Sequence, residues 1–174
     1  GFLRLGRDGM AKIRWEKQLE HYASQVAKLG NRSGEICGKA TYEMAAIVAD
    51  KIRKNLDGLH AEPDTEGLVA WKEKRKTQLT YSEKKGLQNS LGISKLEYDR
   101  GYYNVKIGFD GYNSVKTRKY PKGQPNVLIA RAIESGSSVR DKQPFVRPAV
   151  NAARAEALKA CEKVIDREIK KIMK

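Results

Sequence analysis

Two groups of residues carry the chemistry this sequence could do. The first is Glu134, with Arg131 before it and Arg140 and Arg147 after it. A carboxylate among guanidinium groups makes an ion pair or caps a helix, and the same pairing could form across subunits. Both readings of Glu134 stand open on the residues alone. The second group is Lys116, Arg118, Lys119 and Lys122, interleaved with Tyr112 and Tyr120. Cations without a nearby carboxylate suit an acidic protein surface or the phosphates of DNA, and the tyrosines could stack on bases. Such contact would not read base sequence. A solvated loop is the plain alternative.

Catalytic constellations are not legible. His21 and His60 are the only histidines, and neither has a cysteine or carboxylate at ligand spacing. No serine or cysteine comes with a recognisable base. No glycine-rich phosphate loop is present; Gly108 and Gly111 read as the end of a hairpin. The remaining carboxylates sit among lysines, as solvated helix partners do. No catalytic, metal-binding or cofactor-binding residue is assigned, no cofactor is expected, and the chain is not read as an enzyme.

Charge points to an acidic partner. The net charge is +14, which most often signals nucleic acid. Residues 1–17 and 72–76 each contribute +3 and residues 116–122 contribute +4, so three short segments hold ten of the fourteen charges. The length of 174 residues fits one domain with a real core. No apolar run of about 18 residues predicts a membrane span, and Phe2-Leu3 does not extend into a signal peptide. Cys37 and Cys161 fall on apolar helix stripes and are expected to be buried thiols in a reducing compartment, with a disulfide left open.

The elements that must position these residues follow from periodicity. Residues 11–15 alternate apolar and charged side chains, as a short strand does. Leu19, Tyr22, Ala23, Val26 and Leu29 predict one helix, stopped by Gly30. Asn31 or Ser33 would cap the next, with Ile36, Ala40, Met44, Ile47, Val48, Ile52 and Leu56 on its core face. Residues 60–78 read as a loop holding at most a short helix. Thr80 and Glu83 form a capping box that starts another helix, with Leu87 and Leu91 on one side. Strands over 93–99 and 102–109 flank a turn at Asp99-Arg100-Gly101, and Tyr103, Val105, Ile107 and Phe109 share one face. Residues 110–124 read as a long mobile loop. Asn126 starts a helix bearing Val127, Leu128, Ala130 and Ile133, and Gly136 caps it. Gln143-Pro144-Phe145 must be extended, and Pro148 sits in the first turn of a long helix. That helix places Val150, Ala153, Ala157, Cys161, Val164, Ile165, Ile169 and Ile172 on one stripe. The fold class is α+β: a small antiparallel sheet, joined by strands near 11–15 and 137–145, with helices packed on one face and a long C-terminal helix.

The segments ARAIESGSS (130–138) and KQPFVRPAV (142–150) resemble the head–tail joining proteins of long-tailed bacteriophages, also called neck or tail completion proteins. GLQNSLGIS (86–94) and YYNVKIGFDGYN (102–113) continue the resemblance, which runs from Met10 to the C-terminus. The basic run 71–76 departs from it. The resemblance implies a single domain over 10–174, with residues 1–9 an extension outside it. It implies a virion protein of the neck, assembled in the host cytoplasm. Its subunits would form a ring, most simply a hexamer, joining the DNA-filled head to the tail or closing the tail end as a terminator. Partners would be the chain itself, a head connector, adaptor or stopper protein and the tail tube protein. DNA would pass through the lumen, and no membrane is involved. Arg131, Glu134, Gly136, Gln143, Pro144, Phe145, Arg147 and Pro148 become assembly residues, and the 110–124 loop a docking element. Removing residues 113–121 is expected to spare the fold and block joining. The alternative is a basic protein that binds nucleic acid on its own, without sequence preference.

Overall fold

The computed structural model describes residues 4–5, 11–12 and 16–174, with side-chain burial given from residue 20 onward except at 68 and 71. The described chain is α+β: four small strand pairs with helices packed to one side and a long C-terminal helix. Strand β1 (Arg4–Leu5) pairs antiparallel with β2 (Ala11–Lys12). The strand expected over 11–15 thus pairs with its own upstream neighbour; residues 13–15 lie outside the described ones.

Helix α1 runs unbroken from Glu16 to Asp57, 42 residues. The predicted stop at Gly30 is wrong. The Ser33 hydroxyl donates back to the Gly30 carbonyl at 2.8 Å, so Ser33 lies within the helix and caps nothing. Gly34 and Gly38 have a use that sequence periodicity does not display. A Cβ on Gly34 would lie 2.6 Å from the Tyr103 hydroxyl, and one on Gly38 would lie 2.8 Å from a Leu96 methyl. Close approach of the strand hairpin therefore offsets the roughly 1 kcal/mol that each glycine costs a helix. The Lys84 ammonium donates to the Asp57 and Leu59 carbonyls at the far end.

Between α1 and the hairpin, β3 (Ala61–Glu62) and β4 (Leu79–Thr80) pair in parallel across α2 (Glu66–Lys72). Helix α3 (Tyr81–Ser90) begins at the predicted box: the Thr80 N–H donates to the Glu83 carboxylate at 3.1 Å. The hairpin then comes in two parts. Strand β5 (Leu91–Ile93) pairs with β8 (Ile107–Phe109), and β6 (Glu97–Asp99) pairs with β7 (Tyr102–Asn104). Residues 94–96 lie opposite residues 105–106, a bulge of one residue. The Tyr42 hydroxyl of α1 accepts the Leu96 N–H at 2.8 Å and so ties the bulge down. Arg100 and Gly101 both have positive φ, 49° and 89°, as a two-residue hairpin turn of matching twist requires. No strand forms near 137–145; only a single parallel bridge joins Arg140 to Thr77.

Helix α4 (Asn126–Ser135) and helix α5 (Val146–Ile172) complete the chain. Leu56, Leu79, Leu87, Ile129, Ile133 and Phe145 are the largest fully buried side chains, gathered where α1, α3, α4 and the base of the hairpin meet. Val127 is exposed, and Ile129 takes its expected place. Beyond this core α1 and α5 lie antiparallel, meeting through small residues. Ala40, Ala45 and Ala49 are buried on one helix, and Ala149, Ala153 and Ala157 on the other. Small faces let two helix axes approach closely. Val150 is exposed rather than on that seam, and both cysteines are free and half-buried rather than buried.

Charged groups close the far end of this pair. The buried Glu168 carboxylate accepts from Lys171 at 2.8 Å and from Lys39 at 3.1 Å. Hydrogen bonds from Lys171 first and Lys39 second bring its pKa to about 2. Arg32 and then Lys39 bring Glu35 to about 2 as well. A carboxyl depressed in the folded chain supplies stability above its unfolded pKa and loses it as pH falls through the folded value. Thermal melts are therefore expected to hold level from neutral pH to about 4.5 and to drop progressively toward pH 2. Glu168→Gln should flatten that acid slope; an unchanged slope would remove the network from the explanation.

Candidate functional site

The assembly residues inferred from the sequence converge at the junction of α4 and α5. Glu134, in the last turn of α4, reaches over to the start of α5. Its carboxylate accepts the Phe145 and Val146 N–H groups at 2.8 Å and the Arg147 N–H at 3.0 Å. It is a cap supplied to one helix by another. Burial pushes this carboxyl up, but the N–H groups of Arg147, Val146 and Phe145, with the Arg147 charge, outweigh burial and hold it below the usual range. Arg140, expected beside Glu134, pairs instead with Glu83.

Gln143 ties the extended segment on both sides. Its N–H donates to the Ile133 carbonyl at 2.8 Å, its side-chain oxygen accepts the Leu79 N–H at 3.3 Å, and its side-chain amide donates to the His60 carbonyl at 3.3 Å. Gly136 has φ 73°, which permits the reversal after α4. Phe145 fills the core, while Pro144, Arg147 and Pro148 are exposed around it. Arg131 is exposed on α4, with no ion-pair partner among the described residues. The cluster is therefore a structural knot with a charged rim. Glu134→Ala is expected to cost about 2–3 kcal/mol in urea unfolding, as three N–H groups at a helix start lose a charged acceptor. A change below about 0.5 kcal/mol would mean that water replaces the carboxylate without loss.

The second candidate is the 110–124 loop, and its foot is built rather than slack. Asn113 is buried; its N–H donates to the Gln124 carbonyl at 2.8 Å and its side chain accepts the Val115 N–H at 3.0 Å. The Asn113 amide also reaches the Asn126 side chain and the Ser82 carbonyl, at 3.4 and 3.3 Å. Gly86 admits it: a Cβ there would lie 2.2 Å from the Asn113 amide nitrogen. Gly123, at φ 106°, passes equally close to the Asn113 carbonyl. The meeting of Asn113, Asn126 and Gly86 is not legible in the sequence, because it joins α3, the loop and α4 across long separations. Deleting 113–121 would remove this anchor, so that deletion is now expected to disturb the fold as well as the loop.

The tip presents the charge. Lys116, Arg118, Lys119 and Lys122 are exposed and have no ion-pair partner among the described residues. Lys119 lies over the half-buried Tyr120 ring at 5.6 Å, and Tyr112 is exposed. The other described basic segment differs, since Arg75 of 72–76 pairs with Glu66 and Glu73. The loop and the knot lie on different parts of the chain and share no hydrogen bond among the described residues. Among the described residues no group of three or more His, Cys, Asp or Glu side chains is placed to hold a metal ion. No described helix is long and apolar enough to cross a membrane. No protein-family model, curated protein or solved structure matches this chain.

Proposed function

We propose that this chain is a structural virion protein of the neck of a long-tailed bacteriophage, forming a ring that joins the DNA-filled head to the tail or closes the tail end. The observation that carries the reading is apolar surface that the single chain leaves bare on its two long helices. Tyr22 and Val26 of α1 are 58% and 62% exposed, on a face whose spacing is that of a buried stripe, and Leu158 of α5 is 51% exposed. Such faces are what a heterologous, ring-closing contact buries. The head–tail joining resemblance of 86–94, 102–113, 130–138 and 142–150 supplies the setting: a head connector or stopper protein on one side, tail tube protein on the other. The cationic loop then docks on an acidic neighbour or on DNA in the lumen.

The free cations of that loop favour a second reading, a basic protein that binds nucleic acid alone. Light scattering at low and high concentration, with and without duplex DNA, separates the two. A concentration-dependent mass of ring size, indifferent to DNA, supports the neck reading. A monomer that gains mass only with DNA, and loses it as salt rises, supports the second. Replacing Lys116, Arg118, Lys119 and Lys122 with glutamine tests the loop without touching its foot. Melting is expected to stay within about 0.5 kcal/mol of the parent, because all four side chains are exposed. Head–tail joining by the variant is expected to fail; normal yields of infectious particles would take the assembly role from the loop.

A further inference from the structure

The hairpin carries two glycines to which the fold gives no task. Gly92 of β5 and Gly108 of β8 are directly opposed across the strands. Both are exposed, and a Cβ on either would meet nothing within 4 Å. Neither has a positive φ. Gly34, Gly38, Gly86 and Gly123 each answer to a close internal neighbour; this pair does not. Glycine inside a strand gives up side-chain packing and weakens it, and it marks places where another backbone approaches closely.

The surroundings extend the point. Ser90 and Asp110 adjoin the glycines at one end, where the Asp110 N–H donates to the Ser90 carbonyl at 3.1 Å. Ser94 and Lys106 adjoin them at the other, where the Lys106 N–H donates to the Ser94 hydroxyl oxygen at 2.8 Å. The result is a trough floored by main chain, about 320 Å³ over the hairpin and about 700 Å³ where it meets α3 and residues 110–114. The two share Ser90, Gly92 and Asp110. Lys85 lines the larger part and has no ion-pair partner among the described residues. Lys106 lines the smaller and shares its charge with Glu97 at 3.0 Å. Tyr112 lines the larger part and is 68% exposed.

We infer that this trough seats an extended, acidic segment of another protein. The bare floor admits a polypeptide backbone. Asp110 lines both parts, its carboxylate accepting the Gly111 N–H at 2.7 Å, and Lys85 and Lys106 leave the lining cationic, which selects carboxylates. Single-stranded nucleic acid would call for a row of exposed aromatic rings; here Tyr112 is exposed in the larger part, and Phe109 of the smaller part is half-buried with its ring edge-on to Phe145 in the core.

The test uses a peptide of alternating glutamate and alanine, with short duplex DNA as the comparison. The peptide is expected to move the backbone amide resonances of Gly92, Gly108 and Gly111. Gly92→Val and Gly108→Val place strand-favouring side chains in open space, so both are expected to melt no lower than the parent. Both should bind the peptide at least about tenfold more weakly. Lower melting would show that the fold itself needs the glycines and would overturn the inference. Unchanged peptide affinity, or duplex DNA rather than peptide moving those resonances, would overturn it equally.

Discussion

Phe145→Ala is expected to lower the unfolding free energy by about 3–5 kcal/mol. The ring is fully buried and meets Phe109 edge-on, centroids 5.8 Å apart at 62°. It shares its core with Leu56, Leu79, Leu87, Ile129 and Ile133, which come from four separate parts of the chain. None of these can follow a shortened side chain inward without moving a helix or, for Leu79, strand β4, so the cavity stays open and its cost is near the full range. The substitution leaves the main chain of the knot intact: the residue-145 N–H still reaches Glu134, and its carbonyl still accepts the Asn55 amide at 3.1 Å. The loss therefore reports packing alone. Phe145→Leu, which keeps much of the volume, should cost less than half as much. Urea unfolding of both variants measures this, and a near-neutral result for alanine would place the ring at a surface.

Phe145 was legible in the sequence, and the reason separates what sequence shows from what it does not. Pro144 forces extension, Pro148 marks a first turn, and Gly136 marks the end of α4. Each acts on its own backbone, so local chemistry is sufficient. The period-two run Tyr103, Val105, Ile107, Phe109 is equally local, and all four are half-buried on the inward side. The bulge was not legible, because one extra residue between Ile93 and Glu97 has meaning only against the opposite strand. Gly30 misled because a glycine followed by asparagine and serine is locally a helix end. The helix continues because Gly34 and Gly38 receive Tyr103 and Leu96, residues far away along the chain. The 110–124 loop looked slack for the same reason, since its anchor is Asn113 against Gly86 and Asn126. The candidate site divides along this line. The cations of 116–122 could be named from composition. The partner of Glu134 could not, because the groups it satisfies are backbone N–H groups, which every sequence has.

Arg140→Ala is expected to cost about 3–5 kcal/mol, the loss typical of stripping one member from a buried ion pair. The Glu83 side chain is 3% exposed and that of Arg140 is 17% exposed. The two are joined in fork geometry, with one guanidinium nitrogen 2.7 Å from the carboxylate and the second bonded to its other oxygen. Alanine would leave the carboxylate buried with only the Thr80 N–H at 3.1 Å to hold it. It would also strip the Gln78 carbonyl of its 2.6 Å donor. The expected size follows from this abandonment and not from the net worth of the pair, and a second substitution separates the two. Glu83→Gln in an Arg140→Met background removes both charges, keeps an acceptor for Thr80 and fills part of the vacated volume. It should recover most of the loss, because well-packed neutral groups commonly equal or exceed a buried pair in stability. A double-mutant cycle in urea gives the coupling directly. If Arg140→Ala alone costs less than about 1 kcal/mol, the pair behaves as a surface one and water reaches Glu83. A large loss that the neutral pair restores would mean that the capping box of α3 depends on residue 140 only for charge balance. A large loss left unrestored would mean that Arg140 is needed to hold residues 137–142 against β4, and with them the Gln143 tie that leads into α5.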